Sequence, residues 1–307
     1  MQDSATQRLA LLGIWVIPAF WAINYLIARV APGIVQPHTL AMGRFLIVGL
    51  VLGWICRHEI VLHRQHIAQQ WIRYMALGVF GMLFCGAWVY VAAVTSPAMN
   101  IALIYTSSPV LITLGAAIWL RERVRGWQLA GFLLAIAGVL HVVLKGQWLS
   151  VSTVQWVAGD LLVLLAAFSW AVFALLQKHW PTPLSAFARL AVISLAGCVV
   201  LSPFVVWEWS QPSHPVWHWQ ATALVLAAGV FPGIGAYAVY AWAQRHLGAS
   251  RVGMALYLSP LWGALVSWGI LGEPLYWHHL LGALLILPGV ALAQRTHAHN
   301  SQDSAHG

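Results

Sequence analysis

Ten apolar runs, each long enough to cross a bilayer, constrain this chain more than any other feature. They fall at about 9–31, 38–56, 71–94, 97–120, 126–144, 156–178, 186–207, 220–243, 249–271 and 276–294. A helix rises 1.5 Å per residue, so about 20 residues cover a hydrocarbon core about 30 Å thick. Charged residues make up only 7% of the chain, against roughly 25% in a soluble domain. So few charges cannot solubilise a water-exposed surface, and the bilayer must be the main solvent. The expected fold class is an all-α membrane protein with ten transmembrane helices. The first run is too long for a signal-peptide core and lacks a small-residue cleavage site, so it is expected to stay as an anchor. The longest connections, near 57–70 and 208–219, are expected to be loops.

The net charge of +8 could be mistaken for a nucleic-acid footprint. The basic residues form no stripe, however, and lie in short segments between apolar runs. Eleven of the 15 Lys and Arg fall at the termini or in even-numbered loops, and only Arg29 and Lys145 fall in odd-numbered ones. Cytoplasmic loops collect positive charge, so both termini are expected in the cytoplasm, in a multi-pass protein of the inner membrane. The partners expected are a small-molecule substrate and membrane lipids, with no nucleic acid, and a chain acting as a monomer or weak dimer. Cys56, Cys85 and Cys198 have no metal-ligand spacing and form no disulfide framework, so no metal or cofactor is expected.

Self-comparison shows an internal repeat. With a shift of 151 residues, Ser108-Pro109, Glu122, Gly131 and Gly138 fall on Ser259-Pro260, Glu273, Gly282 and Gly289. The same shift lays Gly78-Val79-Phe80 on Gly229-Val230-Phe231. Each half then holds five spans, in 1–145 and 156–295, followed by a polar tail at 296–307. Five is odd, so the second half enters from the opposite side. Two inverted-topology five-helix repeats are a usual construction of secondary transporters, where the halves exchange shapes around a central site.

These residues resemble the drug/metabolite transporter superfamily, and within it the EamA-type ten-helix permeases. The first run has Phe20-Trp21-Ala22-Ile23-Asn24-Tyr25, similar to the family's Trp-x-x-Asn-aromatic start, and the second has Arg44-Phe45. Ser108-Pro109, Arg121-Glu122-Arg123, Gly131 and Gly138 follow the family's pattern of Pro, Gly-Glu and spaced Gly. Ser259-Pro260, Gly272-Glu273-Pro274, Gly282 and Gly289 repeat it. Arg121 departs from the usual Gly, while Gly272 keeps it. The resemblance covers about 10–293. It implies a basket of helices around a central cavity lined by helices one, three, four, six, eight and nine, with five and ten bracing it. It also implies transport of amino acids or other small metabolites, mostly outward.

Ionisable residues at membrane depth are costly and invite a functional reading. No Asp or Glu falls near the middle of a run, which argues for facilitated diffusion or exchange over a carboxylate proton relay. Asn24 is the leading polar candidate, with Trp21 and Tyr25 at i−3 and i+1. Trp88, Tyr90, Tyr105, Ser108, Trp170, Phe173, Tyr237, Tyr240 and Tyr257 complete the expected cavity wall. Such a wall would hold amphipathic compounds by stacking and cation–π contact. With no charge expected in it, specificity should be broad. Pro109 and Pro260 are hinge candidates or static kinks. Arg44 and Arg189 are read as snorkelling or helix-end cations, or else as gate or carboxylate contacts. Asp160 is expected to pair with Arg29 or Lys145.

The expected function is therefore secondary transport of a small amphipathic metabolite by alternating access, most readily as efflux. Import and proton-coupled antiport by the same fold are the alternatives. A membrane-embedded enzyme would need paired carboxylates, a Ser/His dyad or metal ligands at depth, and the sequence offers none.

Overall fold

The structure, a computed structural model, describes residues 4–119, 126–148, 157–212, 215–247, 255 and 258–293. Arg121, Glu122, Arg123, Tyr257, the start of the ninth run and the tail at 296–307 lie outside the described residues. Among the described residues all regular structure is helical. The helices are α1 (Ser4–Val30), α2 (Pro37–Ile55), α3 (Trp71–Ala92), α4 (Ala98–Trp119), α5 (Gly126–Val143), α6 (Ala158–His179), α7 (Ala186–Ser210) and α8 (Trp219–Leu247). Eight helices are long and apolar enough to cross a membrane. They are followed by α9 (259–270) and α10 (Trp277–Ala293), the latter a shorter apolar helix.

Local chemistry sets the helix starts. Pro37 occupies the first turn of α2, where a missing N–H costs nothing, and Pro97 precedes α4 in an extended conformation. Ser185 caps α7 by accepting from the Ala188 N–H at 3.3 Å. Two expectations are corrected here. Residues 57–70 are not a loop but two short helices, Arg57–Leu62 and Arg64–Gln69, because neither Gly nor Pro interrupts that stretch. Likewise Pro203 does not end α7, so Glu208 lies in its last turn, 3% exposed, and not in a loop.

The helices pack in a definite set of pairs: α5 on α10, α2 on α7, α1 on α8, α3 on α6 and on α7, α2 on α8, α4 on α6 and on α9, and α1 on α9. A main core, mostly of small and aliphatic side chains, runs through this bundle, with two smaller clusters around Ile17 and Val48. Outward faces carry exposed apolar residues at helical spacing, such as Leu129, Leu133 and Leu140, or Leu161, Leu165 and Phe168. Such stripes would be a liability in water and suit contact with lipid chains.

α5 and α10 meet backbone to backbone. A Cβ at Gly131 would stand 2.5 Å from the Ala293 nitrogen, and one at Gly289 2.6 Å from the Ala135 nitrogen. Small residues permit this approach and let dispersion hold the pair where no hydrophobic drive exists between helices in lipid. The spaced glycines thus serve packing in α5 and α10, as their spacing anticipates.

Candidate functional site

A cavity of about 970 Å³ lies at the centre of the bundle. α1 contributes Trp21, Asn24 and Tyr25, and α4 contributes Tyr105, Ser108 and Pro109. α6 adds Trp170 and Phe173, and α8 adds Tyr237 and Tyr240. Nine of the sequence-derived wall candidates therefore meet in one space. Trp88 does not line it and packs against the Phe84 ring at 4.5 Å. Tyr90 is also behind the wall, 2% exposed, where its hydroxyl donates to Asn24 Oδ1 at 2.7 Å. Pro260 is buried in α9 beside the wall residue Ser259.

Two helices join the wall beyond the six expected. α2 contributes Arg44, Phe45 and Val48, and α7 contributes Phe187, Arg189, Leu190 and Ser194. The wall also carries Lys178, so the expectation of an uncharged wall is overturned. Charge was discounted because Arg44 and Arg189 lie near helix ends in sequence, whereas inward-turned faces bring both to the cavity. Arg189 donates to the carbonyls of Gln177 (3.0 Å) and Trp180 (2.8 Å), capping the end of α6. Arg44 donates to Asn24 Oδ1 at 3.1 Å and Tyr90 Oη at 3.3 Å.

Backbone irregularity gives the wall its shape. α3 is π-helical over Val79–Ala87, and α8 over Gly229–Gly235. Such widened turns often occur at functional sites. Gly81 in α3 leaves space filled by the Phe173 ring, which a Cβ would approach to 2.6 Å. In α4, Pro109 has no N–H to give to the Tyr105 carbonyl, and the Ser108 hydroxyl donates there instead at 2.6 Å. Ser108 thus repairs the break that its neighbour makes. The Tyr105 hydroxyl in turn donates to the Cys85 carbonyl at 2.9 Å, tying α4 to the π-helical stretch of α3.

Toward one end, the cavity wall continues to the exposed residues Lys178, Pro181 and Gln244. Away from that end, two buried carboxylates and one partly buried tie helix termini together. Glu273 pairs with Arg29 at 2.6 Å and accepts from the Ala98 N–H at the start of α4 and from Ser267. Glu208 accepts from the backbone N–H groups of His38 and Thr39 at 2.8 Å each, satisfying the start of α2. Asp160, fully buried, accepts from Ser96 and from Asn100 Nδ2, whose Oδ1 is 3.0 Å from His279 Nε2. Of the two cations expected beside Asp160, Arg29 is taken by Glu273 instead, and the hydrogen bonds of Asp160 come from Ser96 and Asn100, with Lys145 acting on it through its charge. Sequence inspection passed over Asn100, His279 and Ser96, which carry no signal until three helix ends meet.

An α-helical bundle with apolar outward faces and an aromatic cavity at its centre defines an integral membrane protein of the carrier type. The sequence profile of the EamA-like transporter family matches residues 8–144 and again 157–294. The chain belongs to the EamA-like transporter family. It is 25% identical over 277 residues to an uncharacterized transporter of Bacillus subtilis, covering 89% of this chain and 90% of that protein. It is 27% identical over 292 residues to a probable amino-acid metabolite efflux pump of Salmonella typhimurium, covering 90% and 91% respectively. A protein of known crystal structure shares the fold with a TM-score of 0.61 at 24% identity, over 94% of this chain and 96% of that one.

Proposed function

We propose that this protein is a secondary transporter of the inner membrane that moves small amphipathic metabolites, amino acids or related aromatic compounds, by alternating access and mainly outward. The observation that carries the proposal is the central cavity, whose wall reaches exposed residues at Lys178 and Gln244 and does not include the Glu273, Glu208 and Asp160 ties. A passive scaffold has no need of such a space. The name of the Salmonella relative adds support for an amino-acid-like substrate.

In this proposal the halves 1–145 and 156–295 are inverted repeats of five spans each, with both termini in the cytoplasm. The helix pairs support it. Exchanging the halves turns α1 on α8 into α6 on α3, α3 on α7 into α8 on α2, and α4 on α6 into α9 on α1, all of which occur. α2 on α7, α4 on α9 and α5 on α10 map onto themselves. The open end then carries Arg57, Arg64, Arg73, Lys178 and Arg245, as a cytoplasmic face should. Pro109 and Pro260 act as hinges as the halves rock. Opening outward would part Arg29 from Glu273, one of which belongs to each half.

The test is flux in proteoliposomes preloaded with an amino-acid and aromatic-metabolite panel. The expected result is saturable counterflow of at least one compound, reduced by Trp21→Leu and Tyr240→Leu. Absence of protein-dependent flux across the panel would overturn the proposal.

A further inference from the structure

Among the described residues, Arg44 and Arg189 bond to no acidic group. Lys178, Arg189 and Arg44 line the cavity, and no Asp or Glu does. Glu273 pairs with Arg29 and Glu208 lies within hydrogen-bond distance of the His38 ring, both outside the cavity. Arg189 spends its guanidinium on the end of α6. Arg44 is different. It is held in mid-bundle by two neutral oxygens, Asn24 Oδ1 and Tyr90 Oη, and its Nε has no partner. A guanidinium without a counter-charge in a largely apolar enclosure is costly unless something anionic completes it.

The neighbours of Arg44 sharpen this. Asn24 Oδ1 is consumed by two donors, the Tyr90 hydroxyl and the guanidinium. Asn24 lines the cavity, so its amide presents donors, and not an acceptor, to whatever lies there. The phenols of Tyr25 and Tyr237 stand in the same wall. Beside this donor cluster are the rings of Trp21 and Tyr240, 6.3 Å apart between centroids, and of Trp170 and Phe173, 5.4 Å apart. One cation with neutral donors, flanked by aromatic surface, matches a planar carboxylate attached to an apolar or aromatic body.

We propose that the transported solute carries a carboxylate, and that Arg44 and the Asn24 amide bind it while the aromatic wall holds the rest. This rests on the transport reading and names its substrate class. It also ranks analogues. With no carboxylate in the described wall to receive an ammonium, a monoanionic acid should bind more tightly than its zwitterionic amino-acid counterpart. The uncharged amide and the bare amine should bind weakest.

Four probes on one scaffold test it: phenylacetate, phenylalanine, phenylacetamide and phenethylamine. Each is measured by thermal shift on the purified full-length protein and by counterflow in proteoliposomes. The expected order is phenylacetate, then phenylalanine, then the other two. Arg44→Gln should weaken phenylacetate by about 10- to 100-fold, the value of a charge-assisted bond, while leaving phenylacetamide nearly unchanged. Because Arg44→Gln could fail to fold, the isosteric Asn24→Asp provides a second arm. It sets an anion against Arg44 and should abolish the preference for phenylacetate over phenylacetamide. If phenylacetamide or phenethylamine is bound and moved as well as phenylacetate, the carboxylate assignment falls and the transport reading stands. If no probe binds and no member of the wider metabolite panel moves, both fall.

Discussion

Helices α5 and α10 meet through glycines with nothing between them, while α3 and α8 use glycines to widen their own turns beside a cavity. At Gly131 and Gly289 the missing side chain is replaced by the partner's backbone. At Gly81 and Gly233, within the π-helical stretches, it is replaced by side chains from α6 and α2 respectively. Backbone against backbone leaves no freedom to repack. A ring or a valine against a glycine can turn aside at small cost. The comparison teaches that the same residue makes one helix pair a fixed brace and the other a deformable wall.

The largest effect should come from the brace. Gly131→Leu and Gly289→Leu have no room and a neighbouring backbone that cannot yield. The cost should exceed the roughly 1–3 kcal/mol of an ordinary overpacked core and abolish recovery of folded protein in size-exclusion chromatography. Gly53→Leu, with nothing near its Cβ position, should be recovered normally. Recovery of the two seam variants as readily as of Gly53→Leu would erase the distinction between brace and wall.

Next are the carboxylate ties between helix ends. Glu208→Ala strands the His38 and Thr39 N–H groups at the start of α2. Buried donors without partners cost about 1–3 kcal/mol each, so a melting temperature several degrees lower is expected by scanning fluorimetry. A smaller thermal effect should come from the cavity. Trp21→Leu and Tyr240→Leu keep apolar volume and lose ring contacts worth about 0.5–1.5 kcal/mol each. Stability should stay near the parent while counterflow falls several-fold. A large stability loss with unaltered flux would mean that these rings belong to the core and not to the site.

The smallest effect is one of pH at the open end. Glu59, outside the spans, accepts from the Ser185 N–H and hydroxyl, and these bonds hold its carboxyl below the usual range. A depressed carboxylate stabilises the fold at neutral pH and loses that contribution as pH falls through its folded value. The group is exposed, so the gain is small. Melting measured from neutral to acid pH should fall slightly less steeply in Glu59→Gln than in the parent, and an identical slope would remove the tie.

Much of this was legible in the chain because lipid imposes simple rules. Run length and the scarcity of charge fixed helices as the element. The glycine spacing in α5 and α10 reads directly as close packing, since only absence of a side chain permits it. Nine cavity residues were found because aromatic and amide groups at membrane depth need a reason to be there. Tyr90 and Trp88 were expected in the wall but do not line it, because neighbours on one helix turn face different ways and the π-helical turns of α3 shift that phase. Arg29, one of the two partners expected for Asp160, went to Glu273, because sequence order holds no measure of which of two acids lies nearer to it.

By itself the sequence determined the solvent, the helical element, the repeat and the kinds of side chain available at depth, because each follows from local composition and period. Only the tertiary structure decided which faces turned inward. It turned three carboxylates inward, two of them buried, to tie the helix ends, and it brought Arg44 to Asn24 and Tyr90 with no acid beside it. Those outcomes depend on the rotation and register of helices from distant parts of the chain, a choice made by packing across the whole bundle and by nothing within any single run.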